Sequence, residues 1–324
     1  MLNYLLRRVL YAIPIIIGVN FLTFILFFII NSPDDMARMQ LGEKHVTVQE
    51  IDRWKHSKGY DKPLFINTAA HGHLVVTDTL FFNKSMRLFA FNFGSSTQGR
   101  DINLDVTERM WPSLALAIPS LFIGILVNIS FALWMIFFRE SHLDMLGVTV
   151  CVAMLSISSL FYIIGGQFLF AKMLQLVPIS GYEGGWSAMK FLALPIAIGV
   201  VGGMGSGARW YRTLFLEELN KEYVRTARAK GLNELKVLFV HVLKNAMIPI
   251  LTGVVALLPL LFMGSLLMES FFAIPGLGSY TIDAIQQQDF DIVRVMVFLG
   301  AVFYIIGLIL TDVAYTWVDP RIKL

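Results

Sequence analysis

The chain of 324 residues is 56% hydrophobic and only 15% charged, against about 45 to 50% apolar and about 25% charged in an ordinary soluble domain. Such an excess excludes a typical water-soluble enzyme. The 26 Lys and Arg exceed the 23 Asp and Glu by only three charges, too few for a nucleic-acid surface, so their placement matters more than their sum. The single cysteine, Cys151, excludes an intramolecular disulfide.

The apolar residues gather in runs of about 17 to 25, the length at which a helix rising about 1.5 Å per residue crosses roughly 30 Å of hydrocarbon. In chain order these runs predict six transmembrane helices, at residues 9–30, 114–138, 146–170, 191–207, 247–268 and 295–317, and hence an all-α polytopic membrane protein. The first follows Arg7 and Arg8 but is too long for a signal peptide, and no small-x-small site follows near Asn31 to Asp35. It reads as an uncleaved anchor. Lys and Arg in short connections set orientation, because cationic loops resist translocation. Arg7, Arg8, Arg139, eight cations between Arg209 and Lys244, Arg321 and Lys323 fall on one side, against Lys172, Lys190 and Arg294 at the short connections of the other. Both termini are therefore expected to be cytoplasmic. The chain divides into an N-terminal anchor helix (1–30), one large external segment between helices 1 and 2 (31–113) and a five-helix core (114–324) that carries a cytoplasmic loop at 209–245.

In the external segment, Thr47 and Glu50 make a capping-box signature that predicts a short amphipathic helix through Ile51 and Trp54 to Lys58, ended near Gly59 and Pro63. Gly94-Ser-Ser-Thr-Gln-Gly99-Arg100-Asp101 imitates a phosphate-cradling nucleotide loop but fails on chemistry. Arg100 replaces the lysine, and Asp101 replaces the magnesium-binding hydroxyl. His71-Gly-His73 has no third ligand at metal spacing and reads as a solvated loop.

The predicted spans are almost free of charge, whereas ion-coupled carriers place ionisable residues at mid-membrane. Asp312 is the clearest exception, and lying a turn or two from the cytoplasmic end it reads as an interfacial hydrogen-bonding group. Pro14, Pro119, Pro195, Pro249 and Pro259 interrupt four of the six spans. Gly199, Gly203 and Gly207 recur every four residues on the fourth, a stripe read as helix packing in preference to a gating hinge. No His-Glu-x-x-His, Gly-x-Ser-x-Gly or pair of intramembrane aspartates occurs, so no catalytic, cofactor or metal residue is expected.

The loop at 209–245 is polar and basic, and a connection of that size has a task. A helix seeded near Glu217 and Glu218 is predicted to run to Lys230 and stop at Gly231, which takes the left-handed cap conformation. Asn233 then caps a second helix, with Glu234 at its positive end. Leu235, Leu238, Phe239 and Val242, at helical spacing, are expected along the membrane interface. Small Ala227 and Ala229 permit close approach, and Arg225, Arg228 and Lys230 suit acidic partners. The pattern is that of a docking knob; the bland alternative is a basic loop that merely holds itself in the cytoplasm.

Thr226-Ala-Arg-Ala-Lys-Gly231, followed eighteen residues after the glycine by Pro249, resembles the coupling loop of type I ABC importer permeases. The longer Tyr223-Val-Arg-Thr-Ala-Arg-Ala-Lys-Gly231 is similar to that of the dipeptide, oligopeptide and nickel uptake group. Leu5-Leu-Arg-Arg-Val, Val177-Pro-Ile-Ser-Gly-Tyr182, Glu269-Ser-Phe-Phe-Ala-Ile-Pro-Gly-Leu-Gly278 and Asp319-Pro-Arg-Ile-Lys323 fit the same group. The likeness is weakest over 31–113, where matches such as Gly59-Tyr-Asp-Lys-Pro63 are short.

This resemblance implies the first permease subunit of a pair, in a bacterial inner membrane, with no catalysis of its own. Its implied partners are a second homologous permease subunit, one or two cytoplasmic ATP-binding subunits and an external solute-binding protein, with membrane lipid around it and no nucleic acid. It further implies that Ala227 and Gly231 shape the coupling helix, that Ala229 belongs to the same segment, and that Tyr223, Arg225, Thr226 and Arg228 contact the ATPase groove. The general importer pattern has a glutamate six residues before the glycine, where this chain has Arg225, a departure common in the peptide group. Peptides are the commonest cargo of such systems; nickel chelates, antimicrobial peptides and oligosaccharides stay open. A reading from another class is an ATP-independent secondary carrier or channel, which requires mid-membrane ionisable residues. An assembly protein without a pore leaves the coupling loop unexplained.

Overall fold

The computed structural model describes residues 2–42, 46–68 and 71–318. The motif from Asp319 to Lys323, with Arg321, lies outside the described residues. Among the described residues five helices are long and apolar enough to cross a membrane, and a sixth candidate is a pair bent by 90°. Among the described residues every regular element is a helix, apart from one isolated bridge between Ser95 and Asp101. The chain forms two compact units, Met1–Arg109 with Tyr280–Ile306, and Met110–Ser279 with Gly307–Leu324.

The first unit starts with the helix Leu2–Ile25, which tolerates Pro14 and passes into the wider turns of Leu26–Ile30. Ser32 begins the next helix, Pro33–Leu41, by accepting from the Asp35 amide at 3.2 Å. The helix Val48–Lys58 forms as the capping box predicts: the Thr47 amide donates to Glu50 at 2.9 Å, and Gly59 closes the other end at φ +67°. Aromatic rings fill the core. Phe24 lies 4.9 Å from Phe28, Phe28 lies 5.5 Å from Tyr60, and Tyr60 lies 5.4 Å from Trp54, tilted or edge-on, geometries worth about 0.5–1.5 kcal/mol per pair beyond area burial. The nucleotide-loop imitation is a tight turn instead, pinned where Asp289 accepts from the Thr97 amide at 2.7 Å.

From the second span onward several predicted boundaries move. The second span begins at Ile102 and runs to Phe137 with Pro112 and Pro119 inside it. The third, expected as one rod over 146–170, is two helices, His142–Ser156 and Ser159–Gly166, the latter continued by the wider turns Gln167–Met173. Ile157 is extended, and the Ser158 hydroxyl accepts from the Leu160 amide at 3.4 Å to start the second half. The fourth helix, Ala188–Leu219, continues far past residue 207 because Tyr211, Phe215 and Leu219 keep an apolar face to bury. The fifth, Leu243–Phe262, is preceded without a gap by Glu234–Lys236 and Val237–Val242 and stops short of residue 268. Gly264 at φ +72° turns the chain into the short helix Leu266–Phe271. The last helix is Phe290–Val318. At Gly307 an added Cβ would overlap the Pro259 ring, so that proline is housed in a notch only glycine provides.

Candidate functional site

The connection after Leu219 builds a compact knob. Asn220 and Lys221 break the helix expected to run from Glu217, and Lys221 is extended at ψ +148°, so a new helix, Glu222–Ala229, sets off in its own direction. Its faces divide sharply. Val224 and Ala227 are buried together with Leu219, Leu238 and Val242, in a cluster continuous with Phe215, Cys151 and Ile136. Arg225, Thr226, Arg228, Ala229 and Lys230 are exposed. Ala227 therefore meets the protein's own core, while Ala229 faces outward. Leu238 and Val242, expected along the membrane interface, are buried beneath the knob, leaving Leu235 and Phe239 exposed.

The hinge behaves as its residue types require. Gly231 has φ +75°, and its amide donates to the Arg228 carbonyl at 2.9 Å. The Asn233 side chain accepts from the Leu235 amide at 3.2 Å. Across the hinge, Arg228 grips Glu234 through Nε at 3.2 Å and Nη2 at 2.5 Å. That pair is roughly 40% exposed on both sides and contributes only about 0.2–1 kcal/mol. Complete burial of Val224 and Leu238 contributes about 1.5–3 kcal/mol each, so the apolar seat fixes the knob and the ion pair only trims its angle. The Tyr223 hydroxyl donates to Glu218, and burial together with that carboxylate pushes it up to about 12, so it stays a donor across the physiological range.

Two features escaped the sequence analysis. Arg212, on the fourth helix, holds Asp144 with a two-pronged grip, Nε at 3.0 Å and Nη2 at 2.8 Å. Opposite charges at the same-side ends of the third and fourth spans were the available signal. On the far side, Glu269 is fully buried and accepts from Ser113 Oγ at 2.8 Å and from the amides of Ser265 at 3.0 Å, Gly278 at 2.7 Å and Ser279 at 3.1 Å. Burial pushes its carboxyl above the usual carboxylate range, and these donors pull against that shift. The motif at 177–182 joins the same region, since the Gly181 amide donates to the Phe272 carbonyl at 2.8 Å.

The glycine stripe has the expected packing role at Gly207 only. Gly199 and Gly203 open onto a cavity of ≈ 450 Å³ that Ser120, Asn128, Gly207 and Trp210 also line. A Cβ at Gly203 would meet nothing within 4 Å, whereas one at Gly205 would lie 2.8 Å from the Cys151 carbonyl. Gly205 and Gly207, where a Cβ would lie 2.6 Å from the Asn128 side chain, are thus the close-packing glycines, and Gly199 and Gly203 form a smooth wall. The Asn128 carbonyl oxygen there is buried without a partner among the described residues. Among the described residues no group of three or more His, Cys, Asp and Glu is placed to hold a metal.

Membrane-length apolar helices define a multi-pass membrane protein, on which the exposed basic knob is rigidly seated. Residues 128–324 match the family described as the binding-protein-dependent transport system inner membrane component, and residues 1–117 match its N-terminal counterpart. The chain belongs to this family and is a permease subunit of an ABC importer. It is 31% identical to a permease protein assigned to a peptide transport system in Brucella suis, over 98% of each chain. It is 29% identical to the dipeptide transport system permease protein of Bacillus subtilis, over 100% of this chain and 99% of that one. The glutathione transport system permease protein of Salmonella typhimurium is also 29% identical, with the same coverage.

Proposed function

We propose that this permease imports peptides across a bacterial inner membrane and that the knob at 222–231 is its coupling element, docking a cytoplasmic ATP-binding subunit. The observation that carries the reading is the two-faced helix Glu222–Ala229, with Val224 and Ala227 locked into the core and Arg225, Thr226, Arg228 and Ala229 presented outward. Tyr223 braces the helix against Glu218, and Gly231 sets its exit angle. A push on the exposed face reaches the third, fourth and fifth spans through the buried cluster, as a rigid-body switch requires.

In this reading both termini are cytoplasmic, residues 31–113 are external, and the core at 114–324 forms half of the translocation path with a second homologous permease. The apolar cavity walled by Gly199 and Gly203 belongs to that path. One or two partner ATPases hydrolyse the ATP, this subunit being no enzyme, and an external solute-binding protein delivers the cargo. Peptide cargo is supported by the names of the relatives, and the Arg7-Arg8 and first-span pattern supports the first permease of the pair.

A photo-crosslinking experiment tests the docking face. A Thr226→Cys variant labelled with benzophenone-maleimide is expected to yield a covalent product with the ATP-binding subunit, Cys151 being buried and silent. The same label at Arg100→Cys should give none. Absence of a product from Thr226→Cys, in membranes that contain the ATPase, sinks the docking assignment.

A further inference from the structure

The first unit encloses a second, polar cavity of ≈ 340 Å³. Five cations line it, Lys58, Lys62, Lys84, Arg87 and Arg294, and a single carboxylate, Asp291. The secondary structure gathers them: Lys58 ends one helix, Lys84 ends another, Arg87 lies in the following turn, and Asp291 and Arg294 stand one turn apart at the start of the last helix.

Charge compensation falls short. Asp291 is shared by Lys84 at 3.1 Å, Arg294 Nη2 at 3.1 Å and the Tyr60 hydroxyl at 3.2 Å. Lys62 is matched by Asp78 at 2.6 Å. Lys58 donates to the Thr97 carbonyl at 3.2 Å, and Arg87 makes no ion pair among the described residues. Asp289, beside the cavity, is taken up by the Thr97 amide and hydroxyl. Among the described residues three carboxylates, Asp78, Asp289 and Asp291, thus stand against five lining cations, a surplus of two. Burial holds the Lys84 ammonium below its ordinary range, and Arg294 and Lys58 add to the effect.

An independent observation points the same way. Arg294 is 2% exposed, and its Nε and Nη1 find no acceptor among the described residues. Buried guanidinium N–H groups are rarely left unmatched, because each missing acceptor forfeits a charge-assisted hydrogen bond. Arg294 lines the cavity, so its incompletely matched guanidinium adds positive charge to the wall that an oxygen-rich anion would face.

We propose that this cavity is an oxyanion site for a phosphate or phosphodiester group, gripped by Arg87 with Lys58, Lys84 and Arg294 supplying charge. A carboxylate offers two acceptor oxygens, whereas a phosphate offers three or four, and a dianion suits the surplus of cations. Such a group has two sources, a phospholipid headgroup or free phosphate. Arg294 lies near the start of a membrane-spanning segment, a level that headgroups reach. The site is independent of the cargo assignment and of the coupling knob.

The test uses the full permease with its partner subunits in phospholipid-free dodecylmaltoside micelles. Isothermal titration with inorganic phosphate is one arm, and native mass spectrometry of retained phosphatidylglycerol against phosphatidylcholine is the other. Arg87→Gln and Lys58→Gln are each expected to weaken binding about tenfold, while Arg100→Gln, an exposed cation outside the cavity, leaves it unchanged. Saturable phosphate binding with that pattern assigns the site to the free anion. Selective phosphatidylglycerol retention with that pattern, without a phosphate response, assigns it to a headgroup. Failure of both probes to bind, or equal losses in Arg87→Gln and Arg100→Gln, overturns the proposal.

Discussion

Replacing Gly231 with valine is expected to cut ATP-coupled uptake roughly tenfold or more while the protein still inserts and accumulates in the membrane. Gly231 holds φ +75°, and a β-branched residue there is strained by about 1–3 kcal/mol, enough to favour a different exit angle. A steric clash is not the cause, since a Cβ at Gly231 would meet nothing within 4 Å. The damage is conformational: the Arg228–Glu234 grip and the Asn233 cap both depend on the turn. The control follows from the same physics. Asparagine enters the left-handed region more readily than other residues, so Gly231→Asn should retain most uptake. Uptake of a labelled peptide by intact cells reads the difference, and equal rates for Gly231→Val and the parent would remove the hinge from the account.

The second large effect is expected at Glu269. Glu269→Leu leaves three amides and the Ser113 hydroxyl without their acceptor, in a site where the parent side chain is fully buried. Each unmatched buried donor costs about 1–3 kcal/mol, against a total stability of about 5–15 kcal/mol for a folded domain. Glu269→Leu should therefore accumulate poorly or lose about 10 °C or more in thermal midpoint. Glu269→Gln keeps one carbonyl acceptor but turns an amide group toward donors, and should fall between. Thermal scanning of the purified variants measures the order, and a Glu269→Leu midpoint equal to the parent's contradicts the hub.

Legibility from sequence followed the range of the interactions. The box at Thr47 and Glu50, the glycine stop at Gly59 and the Gly231–Asn233 hinge depend on neighbours within a few residues, and they could be read directly. Apolar length likewise revealed the spans, because hydropathy reports the solvent a segment needs. It does not report direction, so the bend at Ile157 and Ser158 was hidden inside a continuous apolar run. The end of the fifth helix was hidden for the same reason, with Gly264 standing among Leu and Met. The fourth helix outran its prediction because Tyr211, Phe215 and Leu219 are buried by tertiary partners that no window contains. Arg212 with Asp144, and Ser113 with Glu269, are long-range pairs whose members look ordinary one at a time. In the knob, residue types exposed its chemistry but not its two faces, which depend on Val224 and Ala227 meeting Leu238 and Val242.

The most direct measurement of the central claim is a mild-detergent pull-down of tagged protein from its native membrane, with identification of the partners and an ATPase assay on the eluate. The account predicts a second permease and one or two ATP-binding subunits, with ATP hydrolysis that the Gly231→Val eluate fails to link to transport. A lone chain or a homo-oligomer without ATPase activity, from a preparation shown to keep other membrane complexes intact, would contradict it.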